Sequence, residues 1–225
     1  MLDIVLITDF VCPYCFAAKE ALEQTLLKYR LQKDSQITLY PMELTPPGGE
    51  QADPVHDTER RDRYRMLEDP CEEMGLQIKL PPNVSPRPLT RLAWEGWLYA
   101  CEHDRGRLWS SCMYHAYFVD ELDIGDREVL RHIASSILLD ADDMERAWDE
   151  GRYTERLLAL EKEARDRYQP KYVPTIYVNG ERLKPRAYTL GEMESLLLPM
   201  AGLAVPGASM KDDEPGAACG VNGCN

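Results

Sequence analysis

The sequence predicts an α/β fold in which a βαβ unit and a ββα unit share one sheet, with a long helical segment between them. Three observations predict it. An apolar run at residues 4–7 is followed by helical spacing and by a second strand pattern at residues 35–40. Helical periodicity then dominates residues 58–168, and strand character returns at residues 174–178. The order of these patterns places both strand-rich ends in one sheet, with the helical block packed over it.

The first strand is predicted at residues 2–8. This stretch is mostly apolar and alternates poorly, which is typical of a central strand covered on both faces. Apolar residues at helical spacing follow and predict the first helix. They are Ala17, Ala18, Ala21, Leu22, Leu26, Leu27 and Tyr29. Residues 35–40 then predict the second strand and complete the βαβ unit.

The helical segment is predicted to begin after a turn-rich boundary at residues 45–58. Within it, Asp126 is predicted to cap one helix and Asp142 the next, because a carboxylate at a helix start accepts hydrogen bonds from unpaired amides. Gly151 is expected to stop the second of these helices. Thr154 is expected to open a last long helix that runs through Tyr168.

The C-terminal unit is predicted from a strand at residues 174–178 and a two-residue hairpin turn at Asn179-Gly180. A final helix is expected over residues 189–198, after Thr189. Residues 203–225 are rich in Gly, Ala and Asp and offer little to bury, so they predict a mobile tail.

Cys12-Pro13-Tyr14-Cys15 stands at the predicted junction between the first strand and the first helix, where a pair of thiols two residues apart is typical of redox chemistry. Pro13 suits the first helical position, which places Cys12 at the helix N-terminus. Unpaired amides and the helix dipole favour a thiolate there, so Cys12 is the expected nucleophile. Cys15 lies one turn further on and is the expected resolving thiol.

The bulk composition narrows the function classes. The 225 residues carry a formal net charge of −13, with 44% hydrophobic and 29% charged residues. This charge disfavours nucleic acid and anionic membranes as partners, because both require clustered Lys and Arg. No stretch is as long and apolar as a membrane span, and the N-terminus lacks the pattern of a secretory signal, so we expect a cytoplasmic protein. Seven cysteines in that compartment favour catalysis or metal binding over a static disulfide framework.

Residues 9–16 (Asp-Phe-Val-Cys-Pro-Tyr-Cys-Phe), the helical insertion and residues 172–176 (Tyr-Val-Pro-Thr-Ile) resemble the DsbA family of thioredoxin-fold dithiol oxidoreductases, and its FrnE-like cytoplasmic subgroup most closely. The resemblance implies a thioredoxin fold with a cis peptide bond before Pro174, which packs beside the cysteines. The backbone of Val173 would then offer hydrogen bonds to an extended substrate. It also implies thiol–disulfide exchange with protein substrates and no cofactor beyond the redox-active disulfide. Glutathione or a thioredoxin-type protein is the expected reductant.

The domain boundaries that follow are an N-terminal thioredoxin-fold part at residues 1–57 and a helical insertion at residues 58–168. The C-terminal thioredoxin-fold part then covers residues 169–202, and the tail residues 203–225. The tail holds Cys219 and Cys224, which are separated by four residues. We expect this pair to relay electrons to or from the main pair, with an inert tail or a metal-binding segment as the alternatives.

Glu43, at the end of the second strand, is a candidate buried acid that could take the proton of Cys15, although a solvent-facing loop carboxylate is the favoured interpretation. Cys71, Cys101 and Cys112 are expected to be structural. No ligand spacing predicts a metal site. Two other functions remain open, a glutathione-dependent isomerase or transferase of the same fold and a redox-regulated, metal-binding interaction protein. The intact pair of thiols argues against the first.

Overall fold

The computed structural model describes residues 1–183 and 188–206. The predicted relay pair, Cys219 and Cys224, lies outside the described residues, as does most of the predicted tail. None of the helices in the described part combines the length and the apolar character needed to span a bilayer.

The described chain forms one mixed sheet of four strands in the order β2-β1-β3-β4. The strands are β1 (Leu2–Thr8), β2 (Ser35–Pro41), β3 (Thr175–Val178) and β4 (Glu181–Arg182). β1 pairs in parallel with β2 and antiparallel with β3. The central position of β1 explains why its residues are nearly all apolar, since both of its faces are covered.

The strand-rich ends are those predicted, a βαβ unit and a ββα unit in one thioredoxin-fold sheet. The turn between β3 and β4 is the predicted Asn179-Gly180 pair, and both residues have positive φ, 52° and 81°. These angles are those of a two-residue hairpin turn that Asn and Gly adopt at low cost.

Nine α-helices complete the described fold. They are α1 (Pro13–Lys28), α2 (Thr58–Tyr64), α3 (Glu68–Glu73), α4 (Arg91–Glu102), α5 (Gly106–Phe118), α6 (Arg127–Ser136), α7 (Ala141–Asp149), α8 (Thr154–Tyr168) and α9 (Leu190–Met200).

The helices cover both faces of the sheet. Leu2, Ile4 and Leu6 of β1 share one buried cluster with α1 and α9. Val5 and Ile7 point to the opposite face, where Ala164 of α8 packs on them. The alternation of side chains along β1 therefore places one helical layer on each side.

A separate core holds the helical block together, and it extends into the redox motif. Phe10, Val11, Cys12, Cys15 and Phe16 belong to the same buried cluster as the aromatic residues of α4 and α5. The two cysteines are thus surrounded by side chains of residues 58–168 as well as by those of the sheet.

The helical prediction for residues 58–168 is wrong for one stretch, since no helix occupies residues 74–90. Prolines stand there at positions 81, 82, 86 and 88. Each lacks a backbone N–H and disfavours helical geometry in the residue before it, so a helix cannot form across them. The peptide bonds before Pro81 and Pro86 are cis.

The predicted helix caps are partly confirmed. Asp126 caps α6 by accepting a hydrogen bond from the amide of Glu128, and Thr189 caps α9 through the amide of Glu192. The cap of α7 is Asp140, not Asp142. Asp140 accepts from two amides of the first turn, whereas the predicted residue already lies inside that turn.

Close packing between α4 and α5 depends on Gly96. A Cβ atom added there would lie 2.5 Å from Cζ2 of the fully buried Trp109. We therefore expect Gly96→Ala to lower the free energy of unfolding by about 1–3 kcal/mol in chemical denaturation, despite the better helix propensity of Ala. Gly191→Ala in α9 is the matched control, because open space surrounds it. Equal stability of the two variants would contradict this packing.

Candidate active site

The Cys12-Pro13-Tyr14-Cys15 motif lies where β1 passes into α1, as predicted. Cys12 is the N-cap of α1, with φ −97° and ψ 114°, and Pro13 is the first helical residue. The Sγ atom of Cys12 accepts a hydrogen bond from the amide of Cys15 at 3.4 Å. A sulfur in this position satisfies one of the donors that a helix start leaves unpaired.

The two thiols differ in burial, again as predicted. Cys12 is 4% exposed and Cys15 is fully buried, and both are free thiols. Burial raises the pKa of Cys15 well above its ordinary value, and the neighbouring Cys12 raises this pKa further. Hydrogen bonds from the Thr8 side chain and the Asp9 backbone act in the opposite direction. Burial therefore favours the protonated thiol of Cys15, and the hydrogen bonds favour its thiolate.

The segment before β3 closes over Cys12. The Val173–Pro174 peptide bond is cis, as the resemblance implied. The Cys12 thiol donates to the carbonyl oxygen of Val173 at 3.7 Å, although the two residues lie 161 positions apart. Val173 and Pro174 are both partly exposed, so backbone groups next to the outer sulfur can be reached from solvent.

Tyr14 forms an aromatic rim beside the cysteines. Its hydroxyl donates to the carbonyl oxygen of Arg63 at 2.9 Å. Its ring meets those of Tyr64 and Tyr188 edge-on, at centroid distances of 6.4 and 5.6 Å. Burial raises the pKa of Tyr14 to about 12, so its hydroxyl stays protonated near neutral pH. Tyr14 thus connects α2 to the entrance of the site.

Asp9 is a buried acid that the sequence analysis did not single out. It is 0% exposed, and its carboxylate accepts from the amide of Leu44 at 2.7 Å and from the indole of Trp94 at 3.2 Å. Its carbonyl oxygen accepts from the amide of Cys12 at 3.1 Å. Burial raises the pKa of Asp9. Its place at the end of a buried strand, three residues before the first thiol, is the sequence signal that could have indicated it.

Glu43 is not the solvent-facing loop carboxylate that the sequence favoured. Its side chain is 2% exposed and receives two hydrogen bonds from Arg91, at 2.9 and 2.5 Å. Burial raises its pKa to about 7, although the Arg91 guanidinium lowers it. The alternative interpretation, a buried acid that titrates near neutrality, describes this residue better.

The raised pKa of Glu43 makes a prediction for stability against pH. The folded protein keeps this proton up to about pH 7, whereas the unfolded chain releases it near 4.5. Stability from this group is therefore full below 4.5 and is lost as the pH rises towards 7. Between pH 5 and 8 we expect wild type to lose about 2–3 kcal/mol of unfolding free energy that Glu43→Gln does not lose.

Urea denaturation across this pH range measures the difference. Glu50→Gln is the control, because that side chain is exposed. Parallel stability curves for wild type and Glu43→Gln would show that this carboxyl does not titrate in the range.

The remaining described cysteines lie in the helical segment, in line with the structural role predicted for them. Cys71 is buried, and Cys101 and Cys112 are partly exposed. Burial raises the pKa of Cys71 and Cys101 to about 11, so both stay thiols near neutral pH. Within residues 1–183 and 188–206, no group of three or more His, Cys, Asp or Glu side chains is arranged to hold a metal ion.

Comparison with known proteins gives a family match. A family model described as a DSBA-like thioredoxin domain matches residues 3–193. The uncharacterized protein YwbO from Bacillus subtilis (strain 168) is 32% identical over 181 residues, which covers 80% of this chain and 88% of that protein.

Solved structures share the fold at low sequence identity. The probable DsbA oxidoreductase SCO1869 from Streptomyces coelicolor superposes with a TM-score of 0.71 at 20% identity, covering 100% of this chain and 99% of that one. The cytosolic disulfide reductase DsbM from Pseudomonas aeruginosa, solved with GSH, superposes with a TM-score of 0.63 at 14% identity, over 84% and 92% of the two chains.

Proposed function

Because the chain belongs to the family of DSBA-like thioredoxin domains, it is a thiol–disulfide oxidoreductase, and we propose that Cys12 and Cys15 are its reacting pair. The assignment to the FrnE-like subgroup stays a prediction. One observation carries the proposal: the Cys12 sulfur is the N-cap of α1 and also contacts the carbonyl oxygen of Val173. A helix N-terminus is the setting in which a cysteine sulfur becomes reactive.

The proposed cycle has two exchange steps. The Cys12 thiolate attacks one sulfur of a substrate disulfide, so that a mixed disulfide forms and the other substrate sulfur leaves as a thiolate. Cys15 then attacks Cys12, which forms the internal disulfide and releases the second substrate thiol. Two electrons pass from the cysteine pair to the substrate. Run in reverse, the same steps deliver a disulfide to a dithiol.

A protein substrate is proposed to lie along Val173 and Pro174, which are both partly exposed. An extended chain can hydrogen-bond to backbone groups at such an edge, which brings its disulfide towards the Cys12 sulfur. The partly exposed ring of Tyr14, inside the motif, offers apolar surface beside the cysteines. Backbone recognition with an aromatic rim favours unfolded or flexible segments over one specific sequence.

Glutathione is the reductant that we propose first, with a thioredoxin-type protein as the alternative. Glutathione is an anion, and the charges of Arg60 and Arg87 act on Tyr64, next to Tyr14. The DsbM structure, which was solved with GSH, has the same fold. Because Arg60 is ion-paired with Asp57, the proposal of glutathione depends chiefly on this likeness of fold.

Glu43 and the tail cysteines keep auxiliary roles in the proposal. A carboxyl with a pKa of about 7 suits proton exchange at neutral pH, which supports Glu43 as an acceptor for the Cys15 proton. Cys219 and Cys224 are proposed to pass electrons to or from the main pair.

Reduction of a disulfide-bonded protein tests the proposed function. Wild type is expected to accelerate the reduction of insulin by dithiothreitol and, in a second arm, by glutathione. The double variant Cys12→Ser/Cys15→Ser is the control. If wild type and the double variant give equal rates with both reductants, the proposed reacting pair is wrong. Activity with dithiothreitol alone would remove glutathione but keep the pair.

A further inference from the structure

The resolving thiol has a chemical difficulty that the motif does not solve. Cys15 is fully buried, and it must lose its proton before it can attack the mixed disulfide at Cys12. Burial raises its pKa, which disfavours the thiolate. A thiolate formed there needs hydrogen-bond donors from the protein, because water does not reach the sulfur.

Two buried hydroxyls adjoin this sulfur. Thr8, the last residue of β1, is 1% exposed, and its hydroxyl is one of the groups that lower the pKa of Cys15 against the larger effect of burial. The Oγ1 atom of Thr8 also lies 2.5 Å from the hydroxyl oxygen of Tyr114, on α5 of the helical block. This observed hydrogen bond joins Thr8 to the helical block, and a further hydrogen bond from Thr8 to the Cys15 sulfur would complete a chain of three groups.

Tyr114 is held rigidly at the far end of this chain. Its ring stacks on Phe16 at 5.3 Å with an interplanar angle of 8°, and it meets Phe10 edge-on at 5.4 Å. Its hydroxyl also donates to the carbonyl oxygen of Asp9, at 3.4 Å. Burial raises the pKa of Tyr114, so the hydroxyl keeps its proton and can act as a donor.

The chain can run in two directions because each hydroxyl can donate or accept. With Cys15 as a thiol, S–H donates to Thr8, Thr8 to Tyr114, and Tyr114 to the carbonyl oxygen of Asp9. With Cys15 as a thiolate, Tyr114 donates to Thr8 and Thr8 donates to the sulfur. Rotation of the two hydroxyls is sufficient to change the direction, and neither gives up its proton.

We propose that Thr8 and Tyr114 are positioning residues that stabilise the Cys15 thiolate during resolution. Because Tyr114 belongs to α5, the helical block then sets the rate of product release. In this step the Cys15–Cys12 bond forms and the bond from Cys12 to the substrate breaks. Cys15 is oxidised and the substrate sulfur is reduced, leaving as a thiolate. The Cys15 proton passes to Glu43, the acceptor proposed above, and the leaving thiolate is protonated from solvent. This inference rests on the proposed function.

Stopped-flow reaction of the reduced full-length protein with 5,5′-dithiobis(2-nitrobenzoate) separates the two steps. Attack by Cys12 releases one coloured thiolate, and resolution by Cys15 releases the second. Phases that belong to other cysteines are identified because they persist in Cys12→Ser. We expect Thr8→Val and Tyr114→Phe to slow the second phase about tenfold while the first stays within about twofold of wild type.

The pH dependence gives a readout that structural damage alone would not move. In both variants the midpoint of the second phase is expected about one pH unit higher, since each lost donor disfavours the thiolate. Thr8→Ser keeps a hydroxyl and is expected to restore the wild-type rate and midpoint. Tyr99→Phe is the control, because it makes the same change at a buried tyrosine of α4 whose charged neighbours are Asp143, Asp140 and Arg152 and not the two cysteines.

The outcomes separate the two proposals. Wild-type second phases and midpoints in Thr8→Val and Tyr114→Phe would overturn the role of the chain, and so would equal slowing of both phases. If Tyr114→Phe does not fold, the comparison of Thr8→Val with Thr8→Ser decides alone. If wild type shows no phase that depends on Cys12, the proposed reacting pair itself is wrong.

Discussion

Cys12→Ser is expected to lower the turnover of disulfide reduction about 1,000-fold or more, whereas Cys15→Ser is expected to capture substrate and then fail to release it. The difference follows from the positions of the two sulfurs. Cys12 caps α1, and its sulfur contacts the carbonyl oxygen of the partly exposed Val173. Cys15 is sealed from solvent and can reach a substrate only through Cys12.

Mass spectrometry under non-reducing conditions distinguishes the variants. Cys15→Ser incubated with an oxidised peptide should accumulate a covalent adduct at Cys12, and Cys12→Ser should not. Cys112→Ser is the matched control, since it makes the same chemical change at a partly exposed thiol in α5. An adduct at Cys15 in the Cys12→Ser protein would reverse the assigned roles of nucleophile and resolving thiol.

Asp9→Ala is expected to lower the free energy of unfolding by about 3–5 kcal/mol, because it removes the acceptor for several buried donors. The amide of Leu44 and the indole of Trp94 both hydrogen-bond to this carboxyl, and the Thr90 side chain also lowers its pKa against the larger effect of burial. They belong to the loop after β2 and to the N-terminal end of α4 in the helical block. The loss would therefore loosen the contact between the block and the sheet.

Two milder variants separate the contributions. Asp9→Asn keeps one oxygen acceptor, and Trp94→Phe removes one donor while an aromatic ring can still stack on Phe10, which lies 3.9 Å from the indole. Each is expected to cost about 1–2 kcal/mol in urea denaturation. A loss below about 1 kcal/mol for Asp9→Ala would show that these donors find other acceptors.

Local patterns were sufficient to predict the sheet and the place of the proposed reacting pair. The apolar run of β1, Pro13 at the start of α1 and the Asn179-Gly180 turn each encode their structure within a few residues. The segment at residues 74–90 was missed, although its four prolines are a local signal against a helix. The choice of Asp142 over Asp140 was wrong because both acids suit a helix start, and only the first helical hydrogen bond decides between them.

The surroundings of the pair could not be predicted in the same way. Thr8 meets Tyr114 across 106 positions, and Glu43 meets Arg91 across 48. Neither partner carries a local signal, because each is an ordinary polar residue in its own segment. The burial of Glu43 arises only when the helical block folds over the sheet. A reactive motif can thus be found in one sequence, whereas the groups that tune it depend on the packed fold.

The shared core around Phe10 and Phe16 has a consequence for how this protein could have arisen and how it can be engineered. Deletion of residues 58–168 would expose the rings of Phe10 and Phe16 to water beside Cys12. The exposed apolar patch would promote self-association. Addition of the helical block to a smaller thioredoxin fold would therefore require matching changes in residues 9–16. A transplant of the eight-residue motif into a smaller scaffold would need polar replacements at both aromatic positions to stay monomeric.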